Sequence, residues 1–377
     1  MTARAETATD SARCRVMADA LERFCRAVLS AAGADTATTD AATRAMMHGS
    51  RLGIDSHGAR LLDHYVKALT HGRVNPKPKL RLVHKGGAAA TLDADDAHGA
   101  LAAYSAMDEA VGLARSSGIG AVAIRNSSHF GAAGTYAHAA AQAGMIGIAM
   151  CNSDSFVRLH DGAERFHGTN PIACAVPVPG ERPWLLDMAT SAIPFNRIQL
   201  YESLGQKLPL GTASRAGGED TNDADEAEML APLGGEFGFK GAGLAGMAEI
   251  FSAVLSGMRL SFQIAPMFGS DVSTPRGLGA FVMALRPGAF VDEKIFADGM
   301  TRYLAALRGS RARAGGEVMA PGDREWAESD RRAAEGIPLD PVTLEAFRHL
   351  ADRFAVEMPE WADARAAGGG GDRRPVK

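Results

Sequence analysis

Two histidines in this chain lie inside short runs of small and hydroxyl residues. His57 stands in Asp55-Ser-His-Gly-Ala59, and His129 stands in Asn126-Ser-Ser-His-Phe-Gly131. A histidine flanked by serine and glycine has no bulky neighbour to pack against, and glycine lets backbone or a ligand approach closely. With an unperturbed pKa of about 6.5, such an imidazole can donate or accept a proton near neutral pH. The two motifs predict proton-transfer chemistry; the alternative for either is a loop histidine that caps a helix.

The hydrophobic pattern predicts alternating helices and strands around these motifs. The predicted helices are Ser11–Ala32, a second from about Thr39, a third through Leu61 and Leu69, Ala97–Ser117, Ala132–Ala143, Gly238–Ser256, Asp323–Glu335 and Pro341–Val356. The predicted strands are Leu80–Val83, Ala88–Leu92, Ile119–Arg125, Met145–Met150, Pro171–Val176, Trp184–Met188 and Ala280–Leu285. His57 therefore falls between two helices, and His129 falls between a strand and a helix.

Composition favours a large α/β enzyme. A chain of 377 residues is too long for one small core, so two or three lobes are expected. With 43 glycines and only 6% aromatic residues, its helices should pack closely on alanine and glycine. The net charge of −4, with dispersed basic residues, argues against a nucleic-acid partner.

Cysteine and hydropathy patterns predict a cytoplasmic protein. The cysteines, at positions 14, 25, 151 and 174, form no C-x-x-C pair and no metal-ligand spacing, so we expect free thiols and no metal site. The first residues lack a basic-plus-apolar signal pattern, and no apolar run reaches 18 residues. We therefore expect neither a leader nor a membrane partner.

Gly118–Ala123 matches the dinucleotide-binding fingerprint G-x-G-x-x-A by letter. The fingerprint requires a strand before the glycines and a helix after them, so that pyrophosphate meets the helix N-terminus. Here a predicted helix ends at Gly118 and a strand begins, so we reject the match. Walker A, H-E-x-x-H and G-x-S-x-G patterns are also missing from the sequence.

Four stretches of the chain resemble the type 2 malate/L-lactate dehydrogenase family. That family includes ureidoglycolate and sulfolactate dehydrogenases, a diketogulonate reductase and reductases of cyclic imino acids such as piperidine-2-carboxylate. The stretches, in order, are Asp55–Leu80, Asn126–Pro177, Leu185–Gln199 and Pro232–Gly257. The resemblance extends from about Thr36 to Phe354.

The resemblance implies a non-Rossmann α/β fold with a mostly antiparallel central sheet and flanking helices. It implies a helical domain formed by residues 1–78 together with about 290–362, and a nicotinamide- and substrate-binding region over 79–289. Within that region, Gly217–Glu228 is acidic and aperiodic and predicts an exposed insertion. The glycine-rich stretch 363–377 cannot bury apolar surface and predicts a disordered tail.

The resemblance also implies roles for the polar residues of these motifs. His57 is the first candidate for the general acid, and His129 is an alternate acid or a substrate-positioning residue. Asp187 is expected to orient His57, because a neighbouring carboxylate fixes an imidazole's tautomer and raises its pKa; the alternative is a helix cap.

The substrate-side candidates are Ser56, Arg60 and Thr169. Arg60 follows His57 by three residues, about one helical turn, and its planar fork suits a substrate carboxylate; a solvated surface arginine is the alternative. The cofactor-side candidates implied by the family are Asn152, Ser153, Asn170, Asp187, Met188, Ala189, Phe239, Lys240, Gly322 and Asp323. Lys240 opens a helix, where a cation opposes the macrodipole unless an anion is near.

Three places depart from the family pattern: Asp63, where proline is usual, Ala280, where histidine is frequent, and Glu236-Phe237, where Tyr-Lys or similar is common. These departures leave the identity of the substrate undetermined. The sequence thus predicts an oxidoreductase that uses NAD or NADP, acts on a small 2-hydroxy or 2-keto acid, and forms a homodimer. The alternatives are a cyclic 2-imino acid reductase, a non-catalytic carboxylate-binding paralogue, and a cofactor-independent isomerase or hydrolase.

Overall fold

The computed structural model describes residues 14–362, with backbone alone at positions 196, 200 and 203. The predicted tail 363–377 and the first residues of the first predicted helix lie outside that range. The helices are α1 (Ala18–Ala31), α2 (Thr36–Arg51), α3 (Leu62–Thr70), α4 (Gly99–Ser117), α5 (Gly134–Gln142), α6 (Phe195–Ser203), α7 (Phe239–Glu249), α8 (Glu293–Arg308), α9 (Asp323–Glu335) and α10 (Pro341–Phe354).

Fourteen strands are described within this range. They are β1 (Cys14–Val16), β2 (Arg81–Gly86), β3 (Ala89–Ala97), β4 (Ile119–Ser127), β5 (Ile146–Cys151), β6 (Val157–Arg158), β7 (Arg165–His167), β8 (Ile172–Val176), β9 (Trp184–Met188), β10 (Ala213–Ser214), β11 (Asp220–Thr221), β12 (Met229–Leu230), β13 (Leu278–Leu285) and β14 (Ile337–Leu339). Most of the predicted elements are present with bounds shifted by a few residues.

A seven-stranded sheet forms the centre, in the order β2-β3-β4-β13-β5-β8-β9. Only β3 and β4 pair in parallel, and every other pair in this sheet is antiparallel. The letters G-x-G-x-x-A fall where α4 ends and β4 begins, as the sequence predicted. The fold is therefore α/β, with a mostly antiparallel central sheet.

Alanine-rich helices α4 and α5 pack on this sheet, against β4 and β5. Their approach is close because glycine stands where they meet it: a Cβ on Gly120 would lie 2.0 Å from the carbonyl oxygen of Ala110. The second large core joins α1, α2 and α3 with β14 and α10. Residues from both ends of the described chain thus share one core.

The first predicted helix begins later than expected, and this is a correction. Residues 14–16 form β1, which pairs antiparallel with β14, Cys14 opposite Leu339 and Val16 opposite Ile337. Val16 is fully buried there. Strand pairing with a segment more than 300 residues away overrides the local helical pattern, which resumes at Ala18.

The segment Gly217–Glu228, predicted to be an exposed acidic insertion, is mostly exposed. It contains β11, which pairs with β10 in a five-stranded sheet ordered β11-β10-β12-β6-β7. Thr221 and Ala224 are buried, although the acidic side chains around them face outward. Helix α8 departs from the predicted helical domain, because its buried Leu304 clusters with Val178 and Ala320. No helix within residues 14–362 is both long and apolar enough to span a membrane.

Candidate active site

The fold brings the two histidine motifs together. His57 ends a 3₁₀ turn between α2 and α3, and His129 follows β4. Their rings stack, with centroids 5.7 Å apart and planes inclined by 25°. Residues 72 positions apart in sequence therefore form one centre.

Two contacts hold the His57 turn in place. The guanidinium of Arg332, on α9, binds the carboxylate of Asp55 bidentately, at 2.5 and 3.0 Å. The hydroxyl of Ser50, on α2, accepts the amide N–H of Ala59 at 2.8 Å. A buried arginine fork fixes both position and orientation, so the imidazole of His57 is presented by a rigid turn.

Each imidazole uses one ring nitrogen within the fold. Nδ1 of His57 shares a hydrogen bond with the hydroxyl of Ser56 at 2.9 Å, and Nδ1 of His129 shares one with the hydroxyl of Tyr65 at 3.0 Å. Within residues 14–362, no hydrogen bond is made by Nε2 of either ring. One nitrogen on each imidazole is thus available to a substrate.

Both imidazoles are neutral at pH 7. Burial lowers the pKa of His57 to about 4. Burial also lowers the pKa of His129 well below its usual value, with further contributions from His57, His64 and Arg276. A neutral imidazole is a proton acceptor, so the centre rests in the form of a general base.

Asp187 does not orient His57, and this expectation is corrected. Its Oδ2 accepts the amide N–H of Gly134 at 2.8 Å, which places the carboxylate at the N-terminus of α5. A Cβ on Gly134 would lie 2.8 Å from that oxygen, so glycine is what permits the contact. Burial raises the pKa of Asp187 to about 6, and the charge of Glu325 adds to this. The partner of this carboxylate is therefore the backbone N–H of Gly134 and not the imidazole of His57.

Arg60 lies on the 3₁₀ turn Ala59–Leu61, with its side chain about half exposed. Its Nη1 is 3.7 Å from Oδ2 of Asp340, the N-cap of α10. A pair this long and exposed is weak, so the guanidinium can separate from Asp340 and bind another carboxylate. Whether Arg60 binds substrate stays a prediction.

The predicted cofactor-side asparagines are fully buried and their side chains serve the fold. Asn152 donates to Glu249 at 3.3 Å and to the carbonyl of Arg259 at 2.8 Å. Asn170 donates to Glu249 at 2.7 Å and to the carbonyl of Ala245 at 3.1 Å. Glu249 also accepts the amide and hydroxyl of Ser261, at 2.6 and 2.5 Å. In this conformation neither asparagine offers an amide to a ligand; they position the loops around them.

The other residues at these strand ends are partly exposed. The hydroxyl of Ser153 accepts the amide N–H of Thr169 at 3.2 Å, which joins the loops after β5 and before β8. Met188 and Ala189 are partly buried at the end of β9. Cofactor contact by these four residues remains a prediction.

At the start of α7, Phe239 and Lys240 are exposed, and the ammonium of Lys240 lies 5.3 Å from the ring centroid of Phe237. Asp323 is engaged within the fold, and its predicted cofactor contact stays a prediction. It pairs with Arg308 through two bonds of 3.0 and 2.8 Å and follows Gly322, whose φ is 97°. Its carboxylate is therefore already neutralised.

Sequence reasoning missed several residues of this site. Arg332, Glu249 and Arg276 act over long sequence distances, and Arg276 is buried in an ion pair with Asp154. The sequence predicted no role for the hydroxyl of Tyr65, which lies in the third predicted helix. Tyr65 follows His57 by eight residues, so helical spacing was the one local signal that pointed to it.

Paired neutral imidazoles, each with one open ring nitrogen, are suited to acid–base chemistry. The malate/L-lactate dehydrogenase family profile matches residues 16–348. A malate dehydrogenase of Pyrococcus abyssi is 34% identical over 351 residues, 91% of this chain and 96% of that protein. A Delta(1)-pyrroline-2-carboxylate reductase of Pseudomonas fluorescens is 31% identical over 323 residues, 86% of this chain and 94% of that protein.

The solved structure of malate dehydrogenase from Pyrococcus horikoshii OT3 superposes with a TM-score of 0.84 at 31% identity. The superposition covers 92% of this chain and 97% of that chain. The chain therefore belongs to the malate/L-lactate dehydrogenase family. It is an oxidoreductase of the kind that acts on CH–OH or C=N bonds.

Proposed function

We propose that this protein transfers a hydride between NAD or NADP and a small 2-hydroxy or 2-keto acid, with His57 as the proton acceptor and donor. The observation that carries the proposal is the stacked pair of His57 and His129, each with one open ring nitrogen. General acid–base catalysis needs such a nitrogen within hydrogen-bond reach of the reacting oxygen.

In the oxidation direction, Nε2 of neutral His57 accepts the proton of the substrate hydroxyl. Ser56 holds the opposite nitrogen and so fixes the ring's orientation. In the reduction direction the same nitrogen returns the proton, and the negative charge of a bound substrate raises the pKa of His57 toward neutrality. His129, tethered by Tyr65, positions the substrate oxygen from the other side.

The residues around α7 and β9 fit a nicotinamide nucleotide. The start of α7 is exposed and carries Lys240, where a cation beside helix amides suits a phosphate. Ser153, Thr169, Met188 and Ala189 offer hydroxyls and partly exposed strand-end backbone to a ribose or nicotinamide. When bound, the nicotinamide supplies or takes the hydride.

An exposed apolar surface on α7 and the π-helical turn Ile250–Val254 supports the proposed homodimer. Ile250, Val254 and Leu255 are 57–62% exposed, and Leu244 lies on the same segment. Clusters of exposed apolar residues mark interaction surfaces. Light scattering at assay concentration should report a dimer, and a fully active monomer would contradict the proposal.

Nicotinamide fluorescence and a substrate panel test the proposed reaction. Protein titrated with NADH and NADPH should quench or enhance their emission, and turnover should follow with pyruvate, oxaloacetate, sulfopyruvate or oxidised ureidoglycolate. Turnover of pyrroline- or piperidine-2-carboxylate alone would favour the imino acid reductase, an activity in the name of one relative. Carboxylate binding without nucleotide binding would leave the non-catalytic paralogue.

A further inference from the structure

His98 joins the start of α4 to Tyr65 of α3. It is the N-cap of α4, and its Nδ1 accepts the amide N–H of Ala100 at 3.1 Å. Its ring meets the ring of Tyr65 nearly at a right angle, with centroids 4.2 Å apart and planes inclined by 79°. His98 is 1% exposed and Tyr65 is 3% exposed. The two rings are therefore fixed against each other inside the protein.

The cap alone does not explain an imidazole at this position, because asparagine, aspartate and serine cap helices as well. Burial lowers the pKa of His98 to about 3, and the neighbouring His64 adds to this, so the ring is neutral. Since Nδ1 accepts a hydrogen bond, the single ring proton is on Nε2. That nitrogen is buried and has no hydrogen-bond partner within residues 14–362, which destabilises the fold. The contact with Tyr65 is what a smaller capping residue would not supply.

Tyr65 connects His98 with the histidine centre. Its hydroxyl shares a hydrogen bond with Nδ1 of His129 at 3.0 Å and makes no other hydrogen bond within residues 14–362. One bond at the tip of a phenol does not fix the plane of its ring, so the packing around the ring must do so. The contact of His98, at 4.2 Å between centroids, is closer than that of His64, at 5.9 Å. A phenol that turned away from His98 would carry its hydroxyl away from His129.

The next residue, Gly99, holds the backbone of the His129 loop. Its amide N–H donates to the hydroxyl of Ser128 at 3.0 Å. A Cβ on Gly99 would lie 2.3 Å from the carbonyl oxygen of Ser128 and 2.7 Å from that of His129, so glycine is what permits this approach. The start of α4 therefore contacts the backbone of His129 directly and reaches its side chain through Tyr65.

We propose that His98 is a positioning residue of the reaction: its ring holds the phenol of Tyr65, which holds Nδ1 of His129 and keeps Nε2 of that ring directed at the substrate. The inference rests on the proposed function and adds to it a residue that does not touch the substrate. His98 exchanges no proton in this role. Its effect on turnover therefore passes through the hydroxyl of Tyr65.

A double-mutant cycle tests that route. Steady-state kinetics compares wild type, His98→Asn, Tyr65→Phe and the double variant, with His84→Asn, an exposed histidine on β2, as the control. Asparagine keeps an acceptor for the amide of Ala100 and removes the ring. In His98→Asn we expect kcat to fall about 10- to 100-fold, the effect of a misplaced reacting group, with little change in KM. The double variant should be no slower than Tyr65→Phe, because residues that act as a unit are not additive. Additive losses would overturn the proposal.

His98→Phe is the complementary variant, because it keeps a ring against Tyr65 and removes the acceptor that caps α4. A positioning role predicts that His98→Phe has the lower Tm of the two variants and the higher kcat. A purely structural role predicts that kcat follows Tm, so a slower His98→Phe would refute the proposal.

Nitrogen NMR of histidine-labelled protein separates this inference from the proposed function. If wild type turns over no substrate of the panel, the proposed function fails, but the ring resonances of His129, assigned with His129→Gln, still report its bond to Tyr65. They should shift in His98→Asn in the direction that Tyr65→Phe shifts them, and stay near wild type in His98→Phe and His84→Asn. Resonances that move in Tyr65→Phe and not in His98→Asn would show that His98 does not position this pair.

Discussion

Two polar regions meet beside the central sheet, and they differ in how completely their hydrogen bonds are satisfied. Around Glu249, the buried amides of Asn152 and Asn170 and both donors of Ser261 find acceptors within the fold. Around the histidines, ring nitrogens remain open. Because buried polar groups are almost always bonded, open groups indicate where a ligand completes the structure. The first region holds the loops in place, and the second is where we propose that the substrate binds and reacts.

The substitution His57→Ala gives the largest effect expected from this comparison. It removes an imidazole whose Nε2 makes no hydrogen bond within residues 14–362, so activity should fall while the fold is kept. General acid–base catalysis typically supplies about 10²–10⁴-fold, and kcat should drop by that factor with little change in Tm. Steady-state kinetics and nicotinamide titration measure both outcomes.

His129→Ala is the matched comparison for that variant. Wild-type-like turnover in His57→Ala would remove His57 from catalysis. Full loss in His129→Ala alone would move the proton transfer to that ring.

The opposite result is expected for Glu249→Ala. The substitution leaves at least two buried donors without an acceptor, at about 1–3 kcal/mol each, so the free energy of unfolding should fall by roughly 2–6 kcal/mol. Urea denaturation measures the loss. Glu236→Ala, on the exposed turn just before α7, should change stability little, and an equally mild effect at both positions would contradict a positioning role for Glu249.

Stability should fall as pH is lowered, because the buried histidines are neutral in the native protein. Burial lowers the pKa of His57 to about 4, and that of His98 to about 3. Unfolded histidines titrate at about 6.5. Between pH 6.5 and 4 the unfolded chain thus binds protons that the native protein does not, and stability is lost over that window. Asp187, with its raised pKa of about 6, opposes this, since its contribution is lost as pH rises through 6.

Urea denaturation at pH 7, 6 and 5 measures that slope. His98 caps α4 through Nδ1, at 3.1 Å from the amide nitrogen of Ala100, and asparagine caps helices as well. His98→Asn should flatten the slope, and the exposed His84→Asn should leave it unchanged. Stability that stays constant or rises toward pH 5 would show that the histidines are not neutral in the native state.

The smallest effect is expected from Arg60→Lys. Lysine keeps the charge but loses the planar fork, so KM for a carboxylate substrate should rise a few-fold, more than kcat falls. Stability should hold, because an exposed pair such as Arg60 with Asp340 contributes about 0–1 kcal/mol. An unchanged KM would remove Arg60 from the substrate site.

The sequence predicted the features that depend on residues close together in the chain, and it missed the contacts between residues far apart in the chain. The boundary at Gly118, the strand Leu278–Leu285 and the helix that starts at Phe239 follow from local periodicity. The two histidines were found because their flanking residues are unusual within a few positions. Resemblance to a family, rather than spacing, then placed them in one site.

Pairings across the chain escaped prediction because several partners of equal chemistry compete for each group. Asp187 had an imidazole as its expected partner and took a backbone N–H of α5. Arg332 is 277 residues from Asp55, and its periodicity indicated only an amphipathic helix. Arg73 lies in the stretch Asp55–Leu80, which resembles the family, yet its sequence neighbours do not indicate that its side chain is buried. Packing decides which partner each group takes, and packing cannot be read from a single sequence.

The pairing of β1 with β14 has a consequence for synthesis on the ribosome. Helix α1 buries Phe24 against Phe347 of α10, with ring centroids 4.9 Å apart. Chains emerge from the N-terminus, and domains usually fold in that order. Helix α1 meets α2 and α3 soon after it is made, but β14 and α10, which complete its core, follow more than 300 residues later. Nascent chains that stop before Ile337 should expose the apolar face of α1, bind hydrophobic dyes and chaperones, and recover only when the last two elements are supplied.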